Sequence, residues 1–217
     1  MTKPVDPVAA VRAITRIVKD TEVNGEPGKV IIAARVYDTD PADLFDALSN
    51  PERIRRWFLP VSGDLKLGGR YQFEGNAGGT ITECTPPRRI AATWEFGGGI
   101  SWVVLTLKPE GDKTLLELEH TAPLHPMWGQ FGPGAVGVGW DLGFYGLAIH
   151  VADPTSTNSP EANATFHTTP EGREAIRVSS DAWGAADIAG GAPREAALAA
   201  AENSRQFYTG ELPPPAM

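Results

Sequence analysis

Apolar positions change their period along the chain, and the changes mark the elements. From Gly69 the residues alternate, with Tyr71 and Phe73 on one side and Arg70, Gln72 and Glu74 on the other. A period of two is that of a half-buried strand. Thr80–Cys84, Arg89–Phe96, Ile100–Lys108 and Lys113–Ala122 continue as strands. Turn clusters separate them at Gly75–Gly79, Thr85-Pro86-Pro87, Gly97-Gly98-Gly99 and Pro109–Asp112. This predicts a meander of antiparallel strands with short connections. An earlier β-branched run, Lys29–Tyr37, follows the turn signals Asn24-Gly25 and Pro27-Gly28 and is also read as a strand. In the last strand Leu116, Leu118 and His120 share a face opposite Glu117 and Glu119. The concave side of the sheet is therefore expected to carry Leu116 and Leu118.

Helical spacing appears in two places around the meander. Asp40-Pro41, with Asp43 three residues after the cap, is a helix start, and Leu44, Ala47 and Leu48 then fall on one face. Asn50-Pro51-Glu52 repeats the start, followed by Ile54, Trp57 and Phe58, with Pro60 as the stop. After a Pro- and Gly-rich stretch over 122–134, read as a loop, a longer helix is predicted over 135–152. Trp140, Phe144, Leu147 and Val151 form one apolar stripe, and Val138, Leu142, Tyr145 and Ile149 a second. A helix apolar on two faces is expected to be buried on two sides. Gly139, Gly143 and Gly146 lower its intrinsic stability, which points to close approach by a sheet, a side chain or a ligand. Residues 1–10 read as loose, and Val11–Val23 fits either helix or strand. A Pro-, Ser- and Asn-rich linker spans 153–165. Two Ala-rich helical stretches follow, near Glu171–Asp187 and Arg194–Phe207, before a Pro-Pro-Pro end.

The predicted organisation is α+β: a domain over 1–152, the linker 153–165, and a helical extension over 166–217 that packs on the domain or on a partner. The 217 residues are enough for one large domain. Lys and Arg total 19 against 27 Asp and Glu, a net charge of -8. That balance speaks against nucleic acid as partner, because phosphate binding needs a basic surplus. Arg53, Arg55 and Arg56 cluster, as do Arg88 and Arg89, and are read as solvated positions. The single cysteine, Cys84, excludes an internal disulfide and fits a reducing, cytoplasmic location. No apolar signal core opens the chain, and Asp141 and His150 interrupt the longest apolar stretch, so no membrane span is expected. Asn163-Ala164-Thr165 matches a glycosylation acceptor, without an export signal to make it meaningful.

Taken together, β, α, α, strand meander and long helix resemble the helix-grip, or START-like (SRPBCC), superfamily. The stretch 50–79 is similar to the bacterial branch related to the C-terminal domain of the Hsp90 ATPase activator. The matching features are Asn50-Pro51-Glu52, Trp57-Phe58, Gly68-Gly69-Arg70-Tyr71, and Pro86-Pro87-Arg88 before Thr93-Trp94. The resemblance spans roughly 30–151. It implies a curved antiparallel sheet wrapped around the long C-terminal helix, with a cavity between them for an apolar or aromatic molecule. The Asn-x-Trp-His-Trp motif of the eukaryotic activators' additional domain does not occur here, so Hsp90 activation itself is not carried over with the fold, while a stress-response role is what the resemblance implies.

Candidate cavity residues are Trp57, Phe58, Tyr71, Phe73, Trp94, Trp102, Leu118, His120, Trp140 and Phe144. Each aromatic among them equally suits plain core filling. His120 is the candidate acid or base, set against a strand-end histidine that only hydrogen-bonds a neighbour. The His, Cys and acidic spacings match no metal motif, and no cofactor is expected. Gly132–Gly139 lacks the Lys-Ser/Thr of a phosphate loop. Three functions remain open: a carrier or sensor of a hydrophobic small molecule, an enzyme resembling polyketide cyclases and aromatases, and a protein-interaction module, either chaperone-associated or a homodimer built through the tail.

Overall fold

The computed structural model describes residues 4–156 and 165–212. The Pro-Pro-Pro end and most of the Asn163 acceptor pattern lie outside the described residues.

Eight strands form one curved antiparallel sheet. They are β1 (Thr15–Val23), β2 (Glu26–Tyr37), β3 (Val61–Gly63), β4 (Arg70–Phe73), β5 (Gly78–Thr85), β6 (Arg89–Phe96), β7 (Gly99–Glu110) and β8 (Lys113–Pro123). Their spatial order is β1-β2-β8-β7-β6-β5-β4-β3. β4 to β8 run as the expected meander, and the short β3 adds a strand at its edge. The long-range step is β2 against β8, where Ala33 pairs with Leu118 and Ile31 with His120.

Helices α2 (Pro41–Ser49) and α3 (Pro51–Ile54) start where their caps predict. Asp40 Oδ1 accepts from the Ala42 and Asp43 amides at 2.8 and 3.0 Å, and Asn50 Oδ1 from the Glu52 amide at 3.0 Å. The same signature sits at Asp6-Pro7. It starts α1 (Pro7–Arg12), with Asp6 Oδ1 accepting from the Ala9 amide at 2.7 Å. That corrects the reading of 1–10 as loose, and β1 resolves the ambiguous 11–23 stretch. A short helix, α4 (Met127–Phe131), interrupts the presumed loop at 122–134.

The long helix α5 (Gly134–Ala152) lies over β2, not over the centre of the sheet. The tail supplies α6 (Pro170–Ala189) and α7 (Arg194–Tyr208). Helix α6 packs on α5, α1 and β1, and α7 on α6, α4 and α5. Ile176, Trp183 and Ala186 of α6 share one core cluster with Val138, Phe144 and Leu147 of α5 and Ile31 and Ala33 of β2. The second apolar side of α5 is thus taken up by the chain's own tail.

Close approach between α5 and α6 depends on Gly137. An added Cβ there would sit 2.6 Å from Trp183 Nε1, so the indole could not stay where it is. By length and composition α5 could cross a membrane, but half of it is buried inside the protein.

Candidate functional site

Because α5 sits over β2, it leaves a gap above the inner face of β6, while α2 meets β7 and β8. Helices α2 and α3, the turn after α3 and the outer edge of α5 arch over that gap. Beneath them is a cavity of about 120 Å³. Its floor is Ile90, Ala92 and Trp94 of β6, Val103 and Leu105 of β7, and Leu116 and Leu118 of β8. Trp57, Phe58, Tyr71 and Phe73 close one side, and Trp140, Gly143, Phe144 and Leu147 of α5 the other.

The aromatic walls hold one another in place. Phe58 stacks on Trp140 with ring centroids 6.4 Å apart and planes at 11°, and meets Phe73 edge-on at 5.0 Å. Trp94 tilts against Trp140 at 4.8 Å and against Phe73 at 5.7 Å. Such offset and edge contacts each add about 0.5–1.5 kcal/mol beyond area burial. Trp57 donates its indole N–H to the Ala47 carbonyl at 3.0 Å. The Tyr71 hydroxyl donates to the Thr93 carbonyl at 2.7 Å. Opposite Phe58 the helix surface is bare backbone at Gly143, where a Cβ would lie 3.6 Å from the ring edge.

Arg53 fixes this arch to α5. Its Nη1 donates to Asp43 Oδ1 at 2.7 Å, to Asp46 Oδ2 at 3.1 Å and to the Asp43 carbonyl at 3.0 Å, while Nε donates to His150 Nε2 at 3.1 Å. The bond from Arg53 holds the Asp43 carboxyl below its ordinary pKa. Burial, reinforced by Arg53 and Arg56, pushes the His150 pKa down, so its ring stays neutral. Arg56 donates to the Pro154 carbonyl at 2.9 Å. The cluster read as solvated arginines therefore includes a structural clamp.

His120 stands behind the wall. The Trp140 indole can only donate, and it donates to His120 Nδ1 at 3.0 Å. The imidazole proton is therefore on Nε2, which donates to Ser101 Oγ at 2.8 Å. Ser101 in turn donates to the Trp94 carbonyl at 3.1 Å. Both ring nitrogens are engaged, and burial pushes the His120 pKa down to about 4. At neutral pH the ring is neither charged nor free to exchange a proton with a molecule in the cavity. His120 thus sits among the aromatics with both ring nitrogens hydrogen-bonded, the arrangement of the strand-end histidine that was set against the candidate acid or base.

The linkage has a definite sign. His120 binds its proton near pH 4 when folded and near 6.5 when unfolded. The unfolded chain holds more protons in between, so this group's contribution is complete above pH 6.5 and lost as pH falls towards 4, by about 3 kcal/mol in total. Unfolding of wild type and His120→Gln, compared from pH 7.5 to 4.5, should show the wild-type advantage shrinking towards acid. A difference independent of pH would mean that His120 is not buried neutral.

Of the residues named from sequence, Trp57, Phe58, Tyr71, Phe73, Trp94, Leu118, Trp140 and Phe144 line the cavity together. Trp102 does not. It pairs with Thr93 and Thr121, one position out of phase with Val103 and Leu105, and so points to the opposite face of the sheet. Ile90, Ala92, Val103 and Leu105 were missed, although the period of two through Trp94 marks the inward β6 positions. Among the described residues no group of His, Cys, Asp and Glu is placed to hold a metal ion.

The model of the family described as "Activator of Hsp90 ATPase homolog 1-like protein" matches residues 38–140. The crystal structure of CalU16 from Micromonospora echinospora is 33% identical, over 80% of this chain and 98% of that one, with a TM-score of 0.63. Its solution structure gives 32% identity over 82% and 97%, with a TM-score of 0.64. Protein MLL2253 from Mesorhizobium loti shares the fold at 21% identity over 58% and 98%, with a TM-score of 0.52. No curated protein sequence matches. The match over 38–140 takes in the cap-defined helix pair, the meander and the start of the long helix, and the chain belongs to the START-like (SRPBCC) superfamily, in its Hsp90 ATPase activator homolog 1-like family.

Proposed function

We propose that this chain binds a neutral, apolar or aromatic small molecule in the cavity between sheet and arch, as a carrier or sensor. The observation that carries the reading is the exposure of the inner face of β6. Ile90, Ala92 and Trp94 line the cavity from the middle of the sheet and remain partly exposed, although Trp140 and Phe73 pack against the Trp94 ring. A filled core would bury them. The hole is comparable to the roughly 150 Å³ apolar cavity that stays dry and takes up benzene. Its wall side chains are aromatic or aliphatic, with the Tyr71 hydroxyl already bonded, so an ionic ligand would lose its hydration without compensation. A general acid–base mechanism would need a proton-transfer group within reach of the substrate, and the neutral, twice-bonded His120 does not supply one. The single free thiol, Cys84, fits action in the cytoplasm.

Filling the hole from the helix side tests the reading. In Gly143→Leu the new Cβ makes ordinary contact with Phe58 and the remaining methyls enter the cavity. Uptake of ethylbenzene, followed by titration calorimetry, should fall at least tenfold. The thermal midpoint should hold or rise, because the helix loses a glycine worth up to about 1 kcal/mol. Undiminished uptake by a folded Gly143→Leu would place binding elsewhere. Native mass spectrometry of the purified wild type, with any released species identified, would give the natural ligand's chemical class.

A further inference from the structure

The inward-facing tryptophans differ in one respect. Trp57, Trp140 and Trp183 each donate their indole N–H to a protein acceptor, respectively the Ala47 carbonyl, His120 Nδ1 and Asp141 Oδ2. Trp94 has no such acceptor among the described residues, its nitrogen keeps contact with solvent, and its side chain lines the cavity. An indole N–H in an apolar site ordinarily finds a partner.

Trp94 is also held firmly. Trp140 and Phe73 tilt against its ring, His120 meets it edge-on at 6.3 Å, and its carbonyl accepts the Ser101 hydroxyl. The Trp140–His120–Ser101 chain therefore ends on the backbone of the residue whose side chain has a donor to spare. A donor fixed in advance loses little freedom when it binds.

We propose that Trp94 is the polar anchor of the cavity, donating its indole N–H to an oxygen acceptor on a neutral aromatic ligand, such as an aryl ketone or quinone. This rests on the small-molecule reading above and narrows its ligand class. Trp94 sets orientation and selectivity, while the surrounding carbon surface supplies most of the affinity.

Acetophenone and ethylbenzene have nearly the same shape and differ by the carbonyl oxygen. Their affinities for wild type and Trp94→Phe form a cycle in which the general loss of ring packing cancels. The ratio of acetophenone to ethylbenzene affinity should drop about fivefold in Trp94→Phe, the equivalent of one ordinary hydrogen bond. In the wild-type protein the Trp94 indole proton resonance should move downfield with acetophenone and stay in place with ethylbenzene, a readout that needs no variant to fold. If both probes bind wild type but the ratio and the resonance do not change, Trp94 only packs and the anchor is overturned. If neither probe binds wild type, the cavity reading fails and the anchor with it.

Discussion

Asp141→Ala should lower the unfolding free energy by about 3–5 kcal/mol, the range for breaking a buried ion pair from one side. Asp141 lies on α5, fully buried, between the sheet and the tail. Its Oδ2 accepts from Arg16 Nε at 2.9 Å, Arg16 Nη2 at 2.8 Å, Trp183 Nε1 at 3.1 Å and the Ser179 hydroxyl. Arg16 is itself enclosed, with only 5% of its side chain exposed, and donates also to the Ile14 and Val11 carbonyls. Removing the carboxylate leaves that cation buried without a counter-charge and strands two further donors. Burial pushes the Asp141 pKa up to about 6 against the pull of Arg16, so urea unfolding should be read at pH 7.5, where the carboxylate is charged. The double variant Arg16→Met with Asp141→Leu removes both charges and should recover most of the loss. Equal destabilisation by single and double variants would mean that the side-chain volumes, and not the ion pair, matter at this junction.

Trp183→Ala should cost a similar amount, about 3–5 kcal/mol, through the cavity it opens between α5 and α6. The indole is wholly buried, lies against Gly137 and donates to Asp141. A companion substitution gives the contact a signature of its own. In wild type, Gly137→Ala should destabilise, because its methyl overlaps the Trp183 ring. With Trp183→Ala the methyl has room, and the same change should become neutral or stabilising by up to about 1 kcal/mol through helix propensity. Absence of this sign reversal in urea unfolding would separate Gly137 from Trp183. Both slots are filled from within one chain, so the thermal midpoint should not depend on protein concentration over a hundredfold range. A dependence would indicate that association contributes to stability.

The cavity and the Arg16–Asp141 junction differ in how far the sequence marks them. The cavity residues repeat at strand period two or helix spacing, and Trp94, Leu118, Trp140 and Phe144 fall out of that pattern. The Arg16–Asp141 pair joins positions far apart in sequence, and nothing local marks either residue as a partner. Asp141 looked like a mere interruption of an apolar stretch. The Asp6-Pro7 helix start, by contrast, carried the same signal as Asp40-Pro41 and could have been read.

Local chemistry in this sequence was enough for β2, the strands of the meander, the helix starts at Asp40 and Asn50, the doubly apolar helix and the inward parity of most cavity residues. These depend on backbone geometry and on period, which neighbouring residues determine among themselves. Tertiary structure alone decided that α5 sits over β2 and leaves a gap above β6. It turned Trp102 outward through the register of β7, enclosed His120 as a neutral link, and set Trp183 and Asp141 against each other. Those outcomes depend on which distant surfaces meet, and on the low-polarity surroundings that meeting creates, neither of which a local pattern encodes.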